Sequence, residues 1–268
     1  MDRHGKGSGT RWGPLFGARA STWAETWEGP RGWGTPVYEH VLDRARIGQG
    51  TTVLDCGCGA GRFVGLATQR GAALAGIDAS GELAEIAAER TPEADIRVGD
   101  MEALPWPDNT FDVVTGFSTF QFADDHVAAL TEARRVSRGQ VWVVIPTRLV
   151  DSGIPELFAT LAKLFPPEFL PSLKRSGMYA LSAPGALEQT LSRAKMHPRS
   201  DETMEATSVF PDTNAAVGAF LSAGATTLAI RHSGQHAVEK ALDDALAPFT
   251  GNRGQVTLPG WFRVVQTD

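Results

Sequence analysis

The chain reads as an α/β protein, a largely parallel sheet with helices on both faces. Three observations predict this. Short apolar, β-branched runs alternate strictly with helical patterns between Val53 and Pro146. The connections between them are short. Three of the runs end on a carboxylate, at Asp55, Asp78 and Asp100. Such alternation implies right-handed βαβ units, and open sheets of this kind bind ligands outside the carboxyl ends of their strands.

Residues 1–11 are polar and glycine-rich and are expected to be mobile. Four tryptophans follow: Trp12, Trp23, Trp27 and Trp33. Thr22 and Glu25 have capping-box spacing, predicting a helix that sets Trp23 and Trp27 one turn apart on one face. Those rings either cover a binding site or pack on the core. Gly29 and Pro30 break the helix. Pro36 starts another that runs to Ile47, with Val37, Val41, Leu42 and Ala45 on one face.

The first strand ends at Asp55, and RFVGLATQR is a helix stopped by Gly71. ALAGID is the second strand, ending at Asp78. Ser80 caps GELAEIAAER, which Pro92 terminates. DIRVGD is the third strand, MEALPWPDNT a loop and FDVVTGF the fourth strand. A helix begins at Asp124 or Asp125, and VWVVIP is the fifth strand. Beyond Thr147 the alternation loosens. IPELFATLAKLF is an apolar helix. SAPGALEQTLSRA is a helix with proline in its first turn. HPRSDETMEATSVF holds a sixth strand, residues 213–249 form two or three helices broken near Gly224 and Gly234, and WFRVVQT is the last strand.

Every element points back to VLDCGCGAGRF, Val53 to Phe63. Gly57, Gly59 and Gly61 allow the backbone to turn with positive φ or approach a ligand closely. The helix starting at Arg62 is expected to offer free N–H groups to a polar ligand. The dinucleotide fingerprint G-x-G-x-x-G fails here, because the sixth position from Gly57 is Arg62. Asp55 would repel a pyrophosphate and attract a cation. Asp78 can accept both hydroxyls of a ribose. Asp100 can accept from an exocyclic amine while Met101 packs on the purine face.

Composition narrows the function. The 268 residues carry a formal net charge of −6 without a basic block, which argues against a nucleic-acid partner. No apolar run reaches membrane-spanning length, and no apolar segment follows the charged N-terminus. A cytoplasmic protein without a membrane span, monomer or homodimer, is expected. Cys56 and Cys58 are too close for a good disulfide and too few for zinc. HSGQH lacks the glutamate of a zinc-protease helix. Asp124–Asp125 could belong to a metal-assisted enzyme but has the position of a helix cap. No metal is expected.

VLDCGCGAGRF, GIDAS, GDMEALPWPDNTFDVV and the helix after FQFADD cover most of residues 37–146. Together they resemble the class I S-adenosyl-L-methionine (SAM)-dependent methyltransferases, the methyltransferase type 11 group that includes ubiquinone and menaquinone biosynthesis enzymes. The resemblance implies a Rossmann-like, seven-stranded methyltransferase sheet with its last strand antiparallel and an inserted helical cap. It also implies SAM as cofactor and S-adenosyl-L-homocysteine as product. By position, Asp55 and the Gly57 backbone would lie near the methionine moiety. Asp78 would hold the ribose, with Ala79 adjacent, and Asp100 and Met101 would contact the adenine, while Cys58, Gly59 and Glu102 are further cofactor-binding candidates. Phe117 and Ser118 would border the sulfonium, and Phe122 would cover the cofactor. One departure is that RVSRGQVWVV lacks the family's proline–glycine–glycine turn before the fifth strand.

One domain is expected. Residues 1–50 form an N-terminal helical cover and residues 51–146 the cofactor core. Residues 147–250 supply substrate-side helices and the sixth strand, and residues 260–267 the last strand. The inserted region is rich in Phe158, Phe165, Phe169, Leu170, Phe220 and Leu221, which suits a small, largely apolar or aromatic metabolite, as in secondary metabolism. O-, N- and C-methylation stay open. The alternative is a SAM-fold protein that binds the cofactor without methyl transfer, a cyclase or a regulatory partner. His126 and His232 are candidate bases, with His236 one turn beyond His232. Trp23 and Trp27 are candidate lid residues hinged at Gly29–Pro30.

Overall fold

The computed structural model describes residues 7–30, 32–147 and 154–268. Three helices come first: α1 (Gly9–Gly17), α2 (Ala20–Thr26) and α3 (Thr35–Arg44). The alternating core follows: β1 (Thr52–Cys56), α4 (Arg62–Gln69), β2 (Ala73–Asp78), α5 (Gly81–Arg90), β3 (Asp95–Val98), β4 (Phe111–Phe117), α6 (His126–Val136) and β5 (Ser137–Pro146). Then come α7 (Ile154–Ala162), α8 (Leu170–Arg175), α9 (Ala186–Arg193), β6 (Pro198–Glu205) and β7 (Ser208–Phe210). The chain ends with α10 (Thr213–Ser222), α11 (Gly224–Ser233), α12 (Gln235–Leu246), β8 (Val256–Leu258) and β9 (Trp261–Thr267).

The main sheet has seven strands in the order β3-β2-β1-β4-β5-β9-β6. β1 to β5 pair in parallel, and β9 runs antiparallel between β5 and β6. The expected seven-stranded sheet with an antiparallel last strand is therefore present. Successive side chains of β1 leave on opposite faces. Val53 packs in a core with Val37, Leu42 and Val64, on the α3–α4 side. Leu54 packs in another with Leu130 and Leu187, on the α6–α9 side. A separate core lies within the cap, around Leu157, Phe220, Val238 and Leu242.

The structure corrects several local expectations. Residues 9–11 are not a loose tail but the first turn of α1. Glycines and Pro14 made this stretch look non-helical. Packing explains the choice: Gly9, Gly13 and Gly17 are four apart on one face, and a Cβ on Gly13 would sit 2.3 Å from the Ala79 carbonyl oxygen. The Thr22–Glu25 capping box is absent; α2 starts at Ala20 with no side-chain cap. Pro184 lies outside α9, which starts after Gly185 in left-handed conformation. The missing proline–glycine–glycine turn leaves no connecting loop, since α6 ends at Val136 and β5 begins at Ser137. β7 and β8 form a second, two-stranded sheet that the sequence did not suggest. Ser80 and Asp125 do cap their helices, accepting from the Leu83 and Ala128 amides.

Candidate active site

The glycine turn stands between the tips of β1 and β2. Gly57 and Gly59 have φ of +66° and +55°, values that favour glycine. They also have no room for a side chain. A Cβ on Gly57 would lie 2.0 Å from Thr119 Oγ1, and one on Gly59 2.0 Å from Glu28 Oε1. Glu28 is a functional candidate that sequence reasoning missed. Its carboxylate accepts from the Ala60 amide at 3.0 Å, the Arg62 amide at 3.1 Å and Trp23 Nε1 at 2.6 Å. Glu28 thus occupies the start of α4, accepting from its first amide and from the turn before it, as a helix N-terminus favours a carboxylate.

Asp78 accepts from the Gly59 and Ser80 amides, both at 2.8 Å. Asp55 accepts from Thr115 Oγ1 at 2.7 Å, because the parallel register sets Asp55 beside Thr115. Glu28, Asp55 and Asp78 are all deeply desolvated. Burial raises each carboxyl above the ordinary range, Asp55 well above it. The charges of the other two add to the shift at Asp55. Among the described residues, no basic side chain lowers any of the three. Three neighbouring buried carboxyls with no described cation beside them are costly alone and suited to a positively charged ligand.

Asp100 accepts from the Gly9 amide and the Glu102 amide, each at 2.9 Å. α1 therefore lies directly against the carboxylate assigned to the adenine. Thr119 Oγ1 approaches Met101 Sδ at 3.9 Å. Glu102 turns away and accepts from the Asp124 amide at 2.8 Å. Phe117 stacks among Tyr38 and Phe63, with centroids 4.7 and 4.6 Å away. Phe122 meets Trp12 edge-on at 4.8 Å and Phe16 at 5.4 Å. Burial raises the Cys58 thiol and keeps it neutral.

Most of these groups border one cavity of about 980 Å³ that runs from the glycine turn into the cap. It brings together Asp55, Gly57, Cys58, Gly59, Asp78, Ala79, Met101, Phe117, Ser118 and Phe122 with Trp23 and Trp27. Asp100 borders a smaller cavity of about 30 Å³ beneath α1, which also reaches Asp78 and Met101. Glu102 lines neither. On the cap side Phe158, Phe165, Leu170 and Phe220 line the large cavity, whereas Phe169 and Leu221 do not. Among the described residues no histidine lines it. His232 and His236 are exposed at the α11–α12 corner. His126 lies at the start of α6 with Nε2 3.3 Å from the Gln121 carbonyl oxygen, and burial lowers its pKa. Gln121, Thr115, Tyr38 and Trp12 belong to the site's surroundings and were also missed. Tyr38 alone left a trace, a polar-tipped ring on the apolar face of α3.

Both cysteines are free and buried. Among the described residues no group of His, Cys, Asp and Glu is arranged to hold a metal. No single helix there is long and apolar enough to cross a membrane.

A sheet with this strand order, a glycine turn after β1 and carboxylates at successive strand tips define a Rossmann-like nucleotide-cofactor protein. The family profile described as "Methyltransferase domain" matches residues 54–145. A malonyl-acyl-carrier-protein O-methyltransferase of Erwinia billingiae is 31% identical over 205 residues, 74% of this chain and 73% of that protein. The chain therefore belongs to the class I SAM-dependent methyltransferase family, whose cofactor is SAM. A relative with the same description from Serratia marcescens is 31% identical over 121 residues, and the chain spans about half its length, 47%. Among solved structures, a putative methyltransferase from Bacillus halodurans has a TM-score of 0.58 at 14% identity, covering 86% of this chain and 97% of that one.

Proposed function

We propose that the protein transfers the methyl group of SAM to a small, largely apolar or aromatic acceptor held in the 980 Å³ cavity. The observation that carries this reading is the trio Glu28, Asp55 and Asp78, buried with no cationic partner among the described residues at the edge of an aromatic-lined cavity. SAM supplies an activated methyl on a sulfonium, and its amino group is a second positive charge. In this reading Asp55 and Glu28 face the cationic methionine end. Asp78 keeps lone pairs for ribose hydroxyls beyond the two amides it already accepts. Asp100 and Met101 hold the adenine, Phe117 and Ser118 border the sulfonium, and Phe122 closes above. With no histidine among the described lining residues, the chain's contribution to transfer is alignment of the acceptor and exclusion of water. The net charge of −6, with no basic block in the sequence, weighs against a nucleic-acid acceptor.

Titration calorimetry tests the reading. SAM and S-adenosyl-L-homocysteine bind, and NAD does not. The raised carboxyls give a further signature. Bound cation lowers their pKa values, so SAM binding releases protons, and affinity increases as pH rises through the raised titration range of these carboxyls. Titrations in two buffers of different ionisation enthalpy measure that release. A panel of phenolic and apolar acceptors is then scored by S-adenosyl-L-homocysteine formation. Tight NAD binding without SAM binding, or efficient methylation of bulk tRNA or DNA, contradicts the proposal.

A further inference from the structure

Four consecutive side chains after β4 go to three different places. Thr119 turns toward Gly57 and Met101. Phe120 is wholly buried in the core beside Gly116. Ser118 and Gln121 line the large cavity. Ser118 has φ of +52°, a left-handed conformation that a residue with a Cβ rarely adopts. Strain of this sort persists where the surroundings enforce it, often beside a binding site. Its amide is fixed to the Val144 carbonyl oxygen at 2.8 Å, yet its buried Oγ has no partner among the described residues.

Gln121 is the sharper case. It is 0% exposed, and neither Oε1 nor Nε2 has a hydrogen-bond partner among the described residues. Its backbone is firmly held, the carbonyl oxygen accepting from the Gly177 amide at 3.0 Å and lying 3.3 Å from His126 Nε2. A buried amide with both ends unsatisfied is strongly disfavoured unless a ligand completes it. The unpaired inventory is one carbonyl acceptor, one NH₂ donor and one serine hydroxyl. The same cavity wall carries the carboxyls of Asp55 and Glu28. An anionic partner would be repelled by these. An ammonium would leave the amide donor unsatisfied. A neutral hydroxyl both donates to Oε1 and accepts from Nε2.

We propose that Gln121, assisted by Ser118, is the seat for a neutral hydroxyl group on the otherwise apolar acceptor, and so determines acceptor specificity. The inference rests on the proposed methyltransferase reading for the identity of the ligand as acceptor. It is probed with 2-naphthol and naphthalene, which differ by one hydroxyl, in equilibrium dialysis against protein saturated with S-adenosyl-L-homocysteine. The wild-type protein is expected to hold 2-naphthol about tenfold more tightly than naphthalene. Gln121→Leu and Gln121→Met are expected to erase that preference, leave the affinity for S-adenosyl-L-homocysteine within about twofold, and raise the melting temperature of the unliganded protein. A purely structural glutamine would lower it instead. Equal binding of the two probes by the wild type, absence of 2-naphthol binding, or a preference that survives both substitutions overturns the proposal. So does a loss of S-adenosyl-L-homocysteine affinity in the variants, which assigns Gln121 to the cofactor. Failure of the wild type to bind S-adenosyl-L-homocysteine sinks the methyltransferase reading instead, and the two probes are then compared on unloaded protein.

Discussion

At the sheet rim the candidate site is held by backbone; in the N-terminal cover it is held by side chains. The Gly57 and Cys58 amides donate to the Ile77 carbonyl oxygen at 2.7 and 3.0 Å, and the Gly99 amide to that of Asp78 at 2.9 Å. None of these can move without disturbing the sheet. The cover touches the rest through scattered bonds: Trp12 Nε1 to Ser176 Oγ at 3.0 Å, Trp27 Nε1 to the Ala219 carbonyl oxygen at 2.7 Å, and Thr227 Oγ1 to that of Leu15 at 3.0 Å. Each is worth about 0.5–1.5 kcal/mol net. The difference assigns geometry to the rim and access to the cover. Substitutions in the rim should change how tightly cofactor is held, and substitutions in the cover how quickly it enters and leaves.

The largest expected effect is in the rim. Asp78→Ala removes charge-assisted bonds to the ribose and should weaken SAM binding by about 1.5–3 kcal/mol. It also frees the Gly59 and Ser80 amides, so calorimetry must be run below the variant's melting transition. Unchanged affinity in folded protein would show that the ribose lies elsewhere and that the rim does not set the geometry.

The two regions also differ in how far their sequence revealed them. The rim was legible because its determinants are local. β-Branched runs make strands, glycines turn with positive φ, and aspartates end the strands within a few residues of the turn. Asp55, Asp78 and the glycines accordingly border one cavity. The cover was read poorly because tertiary contacts decide it. α1 contains Gly9, Gly13, Pro14 and Gly17, a composition that opposes helix, and it forms where close approach to Ala79 and Ser80 requires small residues. Glu28 gave no sign of its role, since its partners Ala60 and Arg62 lie more than thirty residues away in sequence. Gln121 sat in FQFADD without any pattern to mark its amide. His232 illustrates the opposite error, a reactive residue type whose position on an exposed helix end could not be known from neighbours in sequence.

An intermediate effect tests whether the cover takes part in binding. Trp23 and Trp27 lie with ring centroids 6.1 Å apart and both line the cavity. Trp23 also donates to Glu28, and Trp27 packs edge-on against Phe210 and Phe220. If the rings face the cationic cofactor, Trp23→Ala and Trp27→Ala should each weaken SAM or acceptor binding by about 0.5–2 kcal/mol. SAM should change tryptophan fluorescence, and the variants should reduce that change. If both variants lose only stability and bind normally, the rings are core of the cap, and access is controlled by residues 154–250 instead.

The smallest effect concerns the latch of the cover. Arg11 bonds the Asp124 carboxylate and, at 2.7 Å, Ser176 Oγ, while Ser176 Oγ donates to the Phe122 carbonyl oxygen at 2.6 Å. The latch thus joins α1 to the loop that carries Phe122. Its ion pair is partly exposed, with side chains 29% and 43% accessible, so it should contribute only about 0.2–1 kcal/mol. Solvent exposure also makes it sensitive to salt. Arg11→Ala should therefore speed release of S-adenosyl-L-homocysteine about 1.4- to fivefold, the factor that this energy allows if it holds the closed state. Association should not be slowed, because the variant cover opens more readily. Raising salt should bring the wild-type release rate toward that of the variant while leaving the variant nearly unchanged. Stopped-flow tryptophan fluorescence measures both rates. A wild-type release rate independent of salt and equal to that of Arg11→Ala would mean that the cover does not open at α1, and that ligand passes through the cap.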